Sequence, residues 1–464
     1  MLLAMPESVT IAEHPTALEW MLRPLSRVRP GEGLQAVMLL ACVFLLLTSY
    51  YMMKTAREGL ILQGGAFGLD GAEVKSYSAA GMALLLVGVV RAYSALASRV
   101  CRIRLINVSY AVVVGCLLVF FALARAGVSI GLPFFVWIGI ANVLLVAQFW
   151  SYANDLYSED QGTRLFPIIA TGGSIGAVLG PGLAQRAPTN ALLLLAAVPL
   201  LGGLVLFNLI EHIRDRAAPA GDAARQPIDD SAGGFALVRR DRYLLLIAAL
   251  VLVAELVKTN GEFVLSSVAT EHAAALVPAT AHAELSGAAR LAAIAGDRRE
   301  IIKQFYGSFF LWVNLASLAI QAFAVSRVID RLGVRRAVFV MPVIALGAYA
   351  AIATIGGLAL VRVAKVAENS SEYSVENTVR QTLFLPTARA KKYKAKAAID
   401  TFVVRAADVL SAGLVWTGIH ALGDGARSLA YVNVALVVLW IVTAARIAHR
   451  RRLDGLDRPT RRTA

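Results

Sequence analysis

Charged residues are scarce in this chain. Of its 464 residues, 16% are Asp, Glu, Lys or Arg, whereas 58% are hydrophobic, and soluble domains carry about 25% charged residues. This scarcity excludes an ordinary soluble enzyme. Apolar runs of about 20 residues, long enough to cross the hydrocarbon core of a bilayer, recur between residues 35 and 446. The composition therefore predicts an all-α polytopic membrane protein.

Cysteines are few, and familiar catalytic motifs are missing or lack their usual structural context. Cys42, Cys101 and Cys116 fall in or beside apolar segments, without the paired spacing of a zinc site or a disulfide framework. H-E-x-x-H does not occur in the sequence, and G-x-S-x-G occurs only at 127–131 and 172–176, beside or within apolar runs rather than between a strand and a helix. The usual signature of a metalloprotease and the structural context of a serine hydrolase are therefore lacking. We therefore expect no metal, no cofactor and no enzymatic activity.

The apolar runs predict twelve transmembrane helices. A polar connection at 211–241, which contains Pro219, Gly221 and Pro227, separates a first six-helix half at 35–210 from a second at 242–446, as expected of a flexible linker. Residues 1–34 precede the first half, 271–303 form an external helical insertion, and 447–464 form a basic tail. The predicted spans lie near residues 35–61, 76–96, 105–124, 132–154, 165–185, 190–210, 242–268, 304–325, 337–355, 358–377, 397–419 and 428–446.

The excess of basic residues indicates the topology. The formal net charge is +14, and 30 of the 45 lysines and arginines fall in the two tails and the even-numbered connections. Cytoplasmic connections of membrane proteins are enriched in Lys and Arg, so both termini are predicted to lie in the cytoplasm. Because these residues occupy short gaps between apolar runs, we expect no nucleic-acid partner.

Short matches between the halves indicate an internal duplication. The segments Lys54-Thr-Ala-Arg-Glu58 and Lys258-Thr-Asn-Gly-Glu262 both read K-T-x-x-E, and two further matches, at 98–100 with 326–328 and at 176–183 with 407–414, occur in the same order. Parallel six-helix repeats are the architecture of the major facilitator superfamily, in which substrate binds near the midplane between the halves.

One connection resembles a loop motif of that superfamily. Residues 330–336 read D-R-L-G-V-R-R, close to the motif D-R-x-G-R-R, and lie between the eighth and ninth spans. The resemblance implies a cytoplasmic loop that clamps neighbouring helices during conformational change, through Asp330, Arg331, Gly333 and Arg335.

Ionisable residues within the predicted spans mark a candidate site. Each would cost about 2.5 to 3.5 kcal/mol at a lipid-facing helix centre, so we expect them to line a polar cavity. On the seventh, tenth and eleventh spans, polar residues recur at spacings of three and four, which places them on one helix face. The ionisable residues are Lys54, Arg57, Glu58, Arg91, Glu255, Lys258, Glu262, Arg362, Lys365, Glu368, Arg405 and Asp408.

The cations outnumber the anions in this set, which favours an anionic substrate. We predict that Lys54, Lys258, Arg362, Lys365 and Arg405 bind it, and that Glu58, Glu255, Glu262, Glu368 and Asp408 act as charge partners or proton carriers. Tyr50 and Tyr51, one turn before Lys54, can stack against a planar base. In the alternative interpretation, the charges only pair with one another and lock the bundle, for example Lys258 with Glu255 or Glu262.

Several separate segments resemble the bacterial and plastid ATP/ADP translocases. Residues 149–154, F-W-S-Y-A-N, with 164–167, R-L-F-P, and 394–400, K-A-K-A-A-I-D, are similar to stretches of that family, and Lys54 falls where its first helix carries a lysine. The resemblance implies a monomer in the bacterial inner membrane that exchanges ATP for ADP. It also implies that Lys54 and either Lys394 or Lys396 contact the phosphates, and it adds Asn154 to the candidate binding residues.

Two other functions remain open at this stage. The same kind of transporter can move a different organic anion, with protons carried by Glu58, Glu262 or Asp408. A third class is a membrane protein without transport activity, either a scaffold or an intramembrane enzyme.

Overall fold

The computed structural model describes residues 28–97, 100–217, 238–384, 387, 395–396, 398–421 and 425–453. Over these ranges every named element is helical, which confirms the predicted all-α polytopic class. Lys394, most of the 211–241 connection and the end of the basic tail lie outside the described residues.

The first half consists of seven helices joined by short connections. Ser158 is the N-cap of the fifth and forms a capping box. Its side chain accepts from the backbone N–H of Gln161, and the Gln161 side chain accepts from the backbone N–H of Ser158. This satisfies two of the N–H groups that a helix start leaves unpaired. The helices are α1 (Gly33–Gly64), α2 (Gly71–Ala97), α3 (Arg102–Arg125), α4 (Gly131–Leu156), α5 (Glu159–Gln185), α6 (Thr189–Leu195) and α7 (Ala197–Ala217).

The second half is less regular and includes two π-helices. Asp241 caps its first helix by accepting from the backbone of Tyr243 and Leu244. The π-helices occur in the tenth and eleventh predicted spans. The elements are α8 (Arg242–Leu276), α9 (Gly287–Phe323), α10 (Val325–Ala337), α11 (Val340–Thr354), α12 (Leu358–Ser371), π1 (Glu372–Glu376), α13 (Asn377–Leu383), π2 (Ile399–Val403), α14 (Val404–His420) and α15 (Gly425–Leu453).

Among the described residues, nine helices are long and apolar enough to cross a membrane, or ten when α10 and α11, bent by 81°, count as one span. The tenth and eleventh predicted spans coincide with α12–π1–α13 and with π2–α14. They fall short of the same criterion because they are divided at the π-helices and carry several charges. The count of twelve therefore stays a prediction.

The bundle has a basic end and a distal end. The basic end contains the start of α1, the end of α15, the connection near residue 158 and the arginine-rich connections near residues 101 and 330. The distal end contains the connections near 67, 128, 187 and 281. At the basic end, Glu32 accepts two hydrogen bonds from Arg164, each 2.9 Å long. These bonds lower the pKa of Glu32 to about 2.

Residues 271–303 are helical but do not form a separate inserted helix. They comprise the end of α8, a connection at 277–286 and the first part of α9, which begins 17 residues before the predicted start of its span. The Ala-rich composition of residues 287–295 favours helix. For this reason α9 extends beyond its apolar run at its N-terminal end. The residues predicted to form an insertion are instead the end of α8, the start of α9 and the connection between them, which together form a hairpin.

Gly333 interrupts the arginine-rich segment between α9 and α11. Its φ of 68° and ψ of 160° are not helical, and glycine adopts a positive φ without steric cost. Asp330 and Arg331 are exposed on the preceding turns, and Arg335 is half-buried. The loop motif thus marks a break in the helix next to the 81° bend.

Apolar side chains form two cores. One lies wholly within residues 28–210, and the other lies mainly within residues 238–447 with a few side chains from α1, α2 and α4. In the second half three buried polar side chains cross-link helices: Asn260 donates to Asn433 (3.1 Å) and accepts from Ser411 (2.6 Å). We call these residues the amide cluster; it joins α8, α14 and α15.

Candidate functional site

A central cavity of about 320 Å³ lies between the halves. Side chains from α1, α2, α4, α8, α9, α12, π1 and α14 line it. Four of them are cationic and three are anionic. The lining residues are Tyr50, Lys54, Arg57, Glu58, Ala72, Lys75, Ser76, Ala79, Met82, Phe135, Lys258, Thr259, Glu262, Phe263, Ser266, Phe310, Asn369, Tyr373 and Asp408.

Lys54 is a cavity cation without a carboxylate partner. Its Nζ lies 4.2 Å from the ring centroid of Phe310 and 5.3 Å from that of Tyr51. Within the described part of the chain no carboxylate lies close enough to pair with it, and Glu58 of its own motif is bound to other cations. Its charge is therefore stabilised by aromatic faces but not neutralised.

Glu58 and Lys75 form the centre of a second set of contacts. Glu58, which is buried, pairs with Arg57 and, at 2.8 Å, with Lys75. Lys75 also donates to Ser266 of α8 at 2.9 Å, and its Nζ lies 5.0 Å from the centroid of the Tyr306 ring. A lysine of the first half thereby connects to two helices of the second half beside the cavity.

Glu262 contacts polar groups from two other helices, α12 and α2. Its carboxylate accepts from the amide nitrogen of Asn369 at 3.1 Å. The ammonium groups of Lys365 and Lys75 lie at 3.8 and 3.9 Å. As with Glu58, this glutamate does not pair with the lysine of its own K-T-x-x-E segment. Of the two partners suggested for Lys258, Glu262 is therefore not the one it pairs with.

Lys258 lies between the central cavity and a neighbouring acidic cavity of about 400 Å³. Its Nζ is 2.7 Å from Glu372 and 3.2 Å from Glu255, so the predicted contact with Glu255 is present. Arg380 lies 3.5 Å from the other oxygen of Glu255. Unlike Lys54, Lys258 is held in a network of ion pairs.

Arg405 and Asp408, three residues apart on α14, form an ion pair. The Arg405 guanidinium donates to Asp408 at 2.8 Å. Asp408 lines the central cavity, whereas Arg405 is not among the lining residues. The pair thus presents its anion, rather than its cation, to the cavity.

Lys365 and Glu368 lie away from the cavity, contrary to the prediction. They pair at 2.6 Å, and both are buried. Tyr349 donates to both oxygens of Glu368, at 3.0 and 2.8 Å. Gly261 makes room for this group, because a Cβ at that position would come within 1.8 Å of the Tyr349 oxygen. The face of α12 that carries the pair packs against α8 and α11.

Four other predicted binding residues also lie outside the central cavity. Arg362 donates to Ser308 at 3.0 Å and lies over the ring of Phe305. Tyr51 packs edge-on against Phe310, Asn154 is exposed near the basic end, and Lys396 pairs with a glutamine. Their side chains point to helix interfaces or to the end of the bundle.

Several lining residues were missed by the sequence analysis. Lys75 was placed just before the second span, although α2 begins at Gly71, so it was not counted among the membrane charges. Phe310 and Tyr373 carry no signal that separates them from other aromatic residues. Asn369 follows Lys365 by one helical turn, but it was not predicted to bind substrate because its side chain is uncharged.

A third cavity, of about 430 Å³, extends from this region toward the basic end. It shares Tyr373 with the central cavity and is lined by Val43, Trp150 and Ser317 among others. Val43 lies 11 residues before Lys54 on α1, which is about 16 Å along a helix.

At the distal end, α9 holds the connection between α5 and α6. Lys303, which is buried, donates to the carbonyl oxygen of Ala187 at 2.6 Å. Glu300 accepts from the backbone N–H of Thr189 at 2.8 Å, and Gln304 donates to the carbonyl of Gln185 at 2.7 Å. These contacts, which we call the distal clasp, join the two halves.

No grouping of three or more His, Cys, Asp or Glu side chains suited to a metal ion occurs among the described residues. The chemistry available in the cavity is therefore that of fixed charges, amides, hydroxyls and aromatic faces. Such a site can bind a polar anion.

Comparison with known proteins gives one relative in sequence. No family model matches the chain. ADP,ATP carrier protein 1 of Chlamydia pneumoniae is 22% identical over 356 residues, which cover 66% of this chain and 64% of that protein. The match thus spans less than two thirds of the relative's length.

Solved transporter structures share the fold. The nucleoside transporter NupG superimposes with a TM-score of 0.60 at 15% identity, covering 89% of this chain and 99% of that one. A peptide transporter POT in complex with sulfate also gives 0.60 at 15% identity, covering 93% and 99%. A bacterial homologue of the iron transporter ferroportin, in an inward-facing state, gives 0.57 at 16% identity, covering 89% and 98%. The chain is therefore a polytopic membrane protein with a major-facilitator-like fold, similar in sequence to an ADP,ATP carrier.

Proposed function

We propose that this protein is a secondary transporter that exchanges nucleotides of the ATP/ADP type across the cell membrane. The observation that carries the proposal is Lys54, a cation in a cavity between two halves that no carboxylate of the described chain neutralises. A buried charge without a partner is costly, and a phosphate group offers the missing anion. An ammonium is a compact point charge suited to phosphate.

The comparisons support a nucleotide rather than another anion. The similar carrier is named for ADP and ATP, and one of the structures with the same fold is a nucleoside transporter. In the proposal, Lys54 holds the phosphates with help from Lys258, and Tyr50 and Tyr373 provide ring faces for a base. Stacking on such rings tolerates any planar heterocycle.

Alternating access is proposed to proceed by parting the distal clasp and closing the basic end. The clasp joins the halves on one side of the cavity, and the third cavity leads toward the other. If the basic end is cytoplasmic, as the arginines predict, this is an inward-facing arrangement.

Cysteine labelling tests this orientation. A single cysteine in place of Arg335 should react with a membrane-impermeant reagent only from the cytoplasm, and one in place of Thr280 only from outside. The reverse labelling pattern would contradict the orientation.

A second candidate is a transporter of a different organic anion coupled to protons. Glu58, Glu262 and Asp408, the carboxylates predicted to carry protons, all line the central cavity. Because these carboxylates line the cavity, proton-coupled transport of another anion is the second candidate to be tested.

Uptake by proteoliposomes separates the candidates. Vesicles containing the purified protein are loaded with ATP, with ADP or with buffer alone, and uptake of labelled ATP is followed with and without a pH gradient. Uptake that requires internal nucleotide supports exchange. Uptake of other anions driven only by the gradient supports the second candidate, and the absence of flux of any solute contradicts both.

A further inference from the structure

Asn369 lines the central cavity and carries a buried side-chain oxygen without a hydrogen-bond partner in the described part of the chain. The residue lies on α12, is 4% exposed and belongs to the cavity lining. Its Nδ2 donates to Glu262 Oε1 at 3.1 Å. Its Oδ1 has no hydrogen-bond partner among the described residues.

Glu262 determines which way the amide faces. A carboxylate accepts hydrogen bonds and donates none, whereas the two ends of an amide differ in this respect. The nitrogen of Asn369 must therefore point to Glu262, which leaves the oxygen at the other end of the amide without a partner in the described ranges. Because Lys75 and Lys365 approach the same carboxylate from two sides, Glu262 is itself held in place.

Ser76 provides a second unpaired atom from the first half. It is 8% exposed, lines the same cavity, and its Oγ has no hydrogen-bond partner within the described ranges. A hydroxyl can donate or accept, so Ser76 is compatible with many ligands. Asn369 Oδ1 can only accept, and this makes it selective.

We propose that Asn369 Oδ1 accepts a hydrogen bond from a hydroxyl or amino group of the substrate. The cavity then selects anions that also carry an O–H or N–H donor over anions that carry none. The reason is that a ligand without a donor leaves the buried oxygen unpaired, at the cost of its full desolvation. This inference rests on the proposed function in taking the cavity as the substrate site, and it assigns a specificity-determining residue to that site.

In a nucleotide the donor has two sources, the sugar hydroxyls and the amino group of the base. The test on the parent protein is competition for labelled ATP by 2′,3′-dideoxy-ATP, which lacks the hydroxyls, and by purine riboside triphosphate, which lacks the amino group. One of these should compete about fivefold less well than ATP, the effect of one net hydrogen bond. Equal competition by ATP and both analogues would overturn the proposal.

The variant Asn369→Leu then assigns the effect to this side chain. The preference for ATP over the weaker analogue should disappear in it, although its overall affinity can change because Glu262 loses a partner. Asn208→Leu, at an exposed asparagine of α7 that lines none of the three cavities, is the matched control and should keep the parent's preference. A preference that survives in Asn369→Leu would assign the donor contact elsewhere and refute the role of Asn369.

The inference and the proposed function can fail separately. If the parent protein does not bind ATP, nucleotide exchange is wrong, and the comparison is made above neutral pH between glucose 6-phosphate, which carries hydroxyls, and methyl phosphate, whose dianion carries no O–H or N–H donor. A stronger binding of the sugar phosphate that is lost in Asn369→Leu would uphold the inference without the nucleotide. Equal binding of the two, or no binding of either, would overturn it.

Discussion

The Nζ of Lys54, on α1, lies 4.2 Å from the centroid of the Phe310 ring on α9, so that a cation of one half rests on an aromatic face of the other. Such a contact contributes about 0.5 to 2 kcal/mol, depending on how far it is desolvated. It lowers the cost of burying the ammonium while leaving its charge free to attract an anion. Lys258 has no such freedom, because two glutamates already bind it.

Replacing Lys54 with Gln should weaken nucleotide binding by about tenfold or more, the effect of one charged hydrogen bond of about 1.5 to 3 kcal/mol. Lys54→Arg keeps the charge and should retain part of the affinity. Titration of purified protein with labelled ATP measures both. An unchanged affinity in Lys54→Gln would count against the proposed site.

Replacing Lys258 with Gln should lower thermal stability more than the same change at Lys54. The change leaves Glu255 and Glu372 without the cation that they share. Removing one partner of a partly buried ion pair is destabilising because the remaining charge is desolvated and no longer compensated. The double variant Lys258→Gln with Glu372→Gln should recover part of the loss. Melting curves in detergent are the measurement. Equal melting temperatures for the two single lysine variants would contradict the difference in pairing.

Arg405 and Asp408, bonded at 2.8 Å, should behave as a coupled pair in transport. Each single change to Ala leaves an uncompensated charge in a low-dielectric region, so either one should impair exchange more than the double change does. A double-mutant cycle on initial exchange rates gives the coupling. Simple additivity of the two losses would show that the pair is not functionally linked.

Gly261→Ala should destabilise the fold by about 1 to 3 kcal/mol, the usual cost of overpacking a filled core. Its Cβ would collide with the Tyr349 oxygen and come within 2.8 Å of the Lys365 Nζ. Gly413→Ala is the control, because nothing lies within 4 Å of its Cβ position. That helical site should gain about 0.4 to 1 kcal/mol. The comparison is made by denaturant or thermal unfolding, and a destabilised Gly413→Ala with an unaffected Gly261→Ala would reverse the assignment.

The connection between α8 and α9 should loosen as the pH rises through neutrality. The His282 Nε2 lies 2.7 Å from Asp297 and its Nδ1 lies 3.3 Å from Glu284, and these hydrogen bonds raise the pKa of His282. Because the pKa of His282 is higher in the folded protein than its ordinary value, near 6.5, the protonated side chain stabilises the folded hairpin at any pH below that ordinary value. This stabilisation is lost as the pH rises through the raised pKa. Hydrogen exchange of residues 277–286 as a function of pH measures this. His282→Gln should flatten the dependence, and an identical profile in that variant would disprove the cause.

Most helices could be predicted from the sequence because long apolar runs have few alternatives in a bilayer. The charged face of the tenth span was also visible in the spacing of Arg362, Lys365 and Glu368. Spacing alone does not say whether such a face meets a cavity or a neighbouring helix. Here Gly261, on another helix, admits Tyr349 and turns Lys365 and Glu368 into a packing contact.

Two features of the site could not be predicted from the periodicity of the sequence. Lys75 lies within the first two turns of α2, where the apolar run has not yet begun. In π1 the backbone carries an extra residue compared with an α-helical turn, so the faces of α12 and α13 are out of phase. Glu372 and Glu376, the first and last residues of π1, both line the acidic cavity.

The amide cluster makes the second half hard to deform. Its hydrogen bonds lie among buried side chains, and in a bilayer no water replaces a bond that is broken there. At the distal clasp, by contrast, the exposed Gln304 binds a peptide carbonyl, and water can take over that contact when the halves separate. When the halves move, the contacts between them therefore give way more easily than the packing inside the second half. The second half moves as a rigid unit, so that a displacement at one end of the bundle is passed on to the other end.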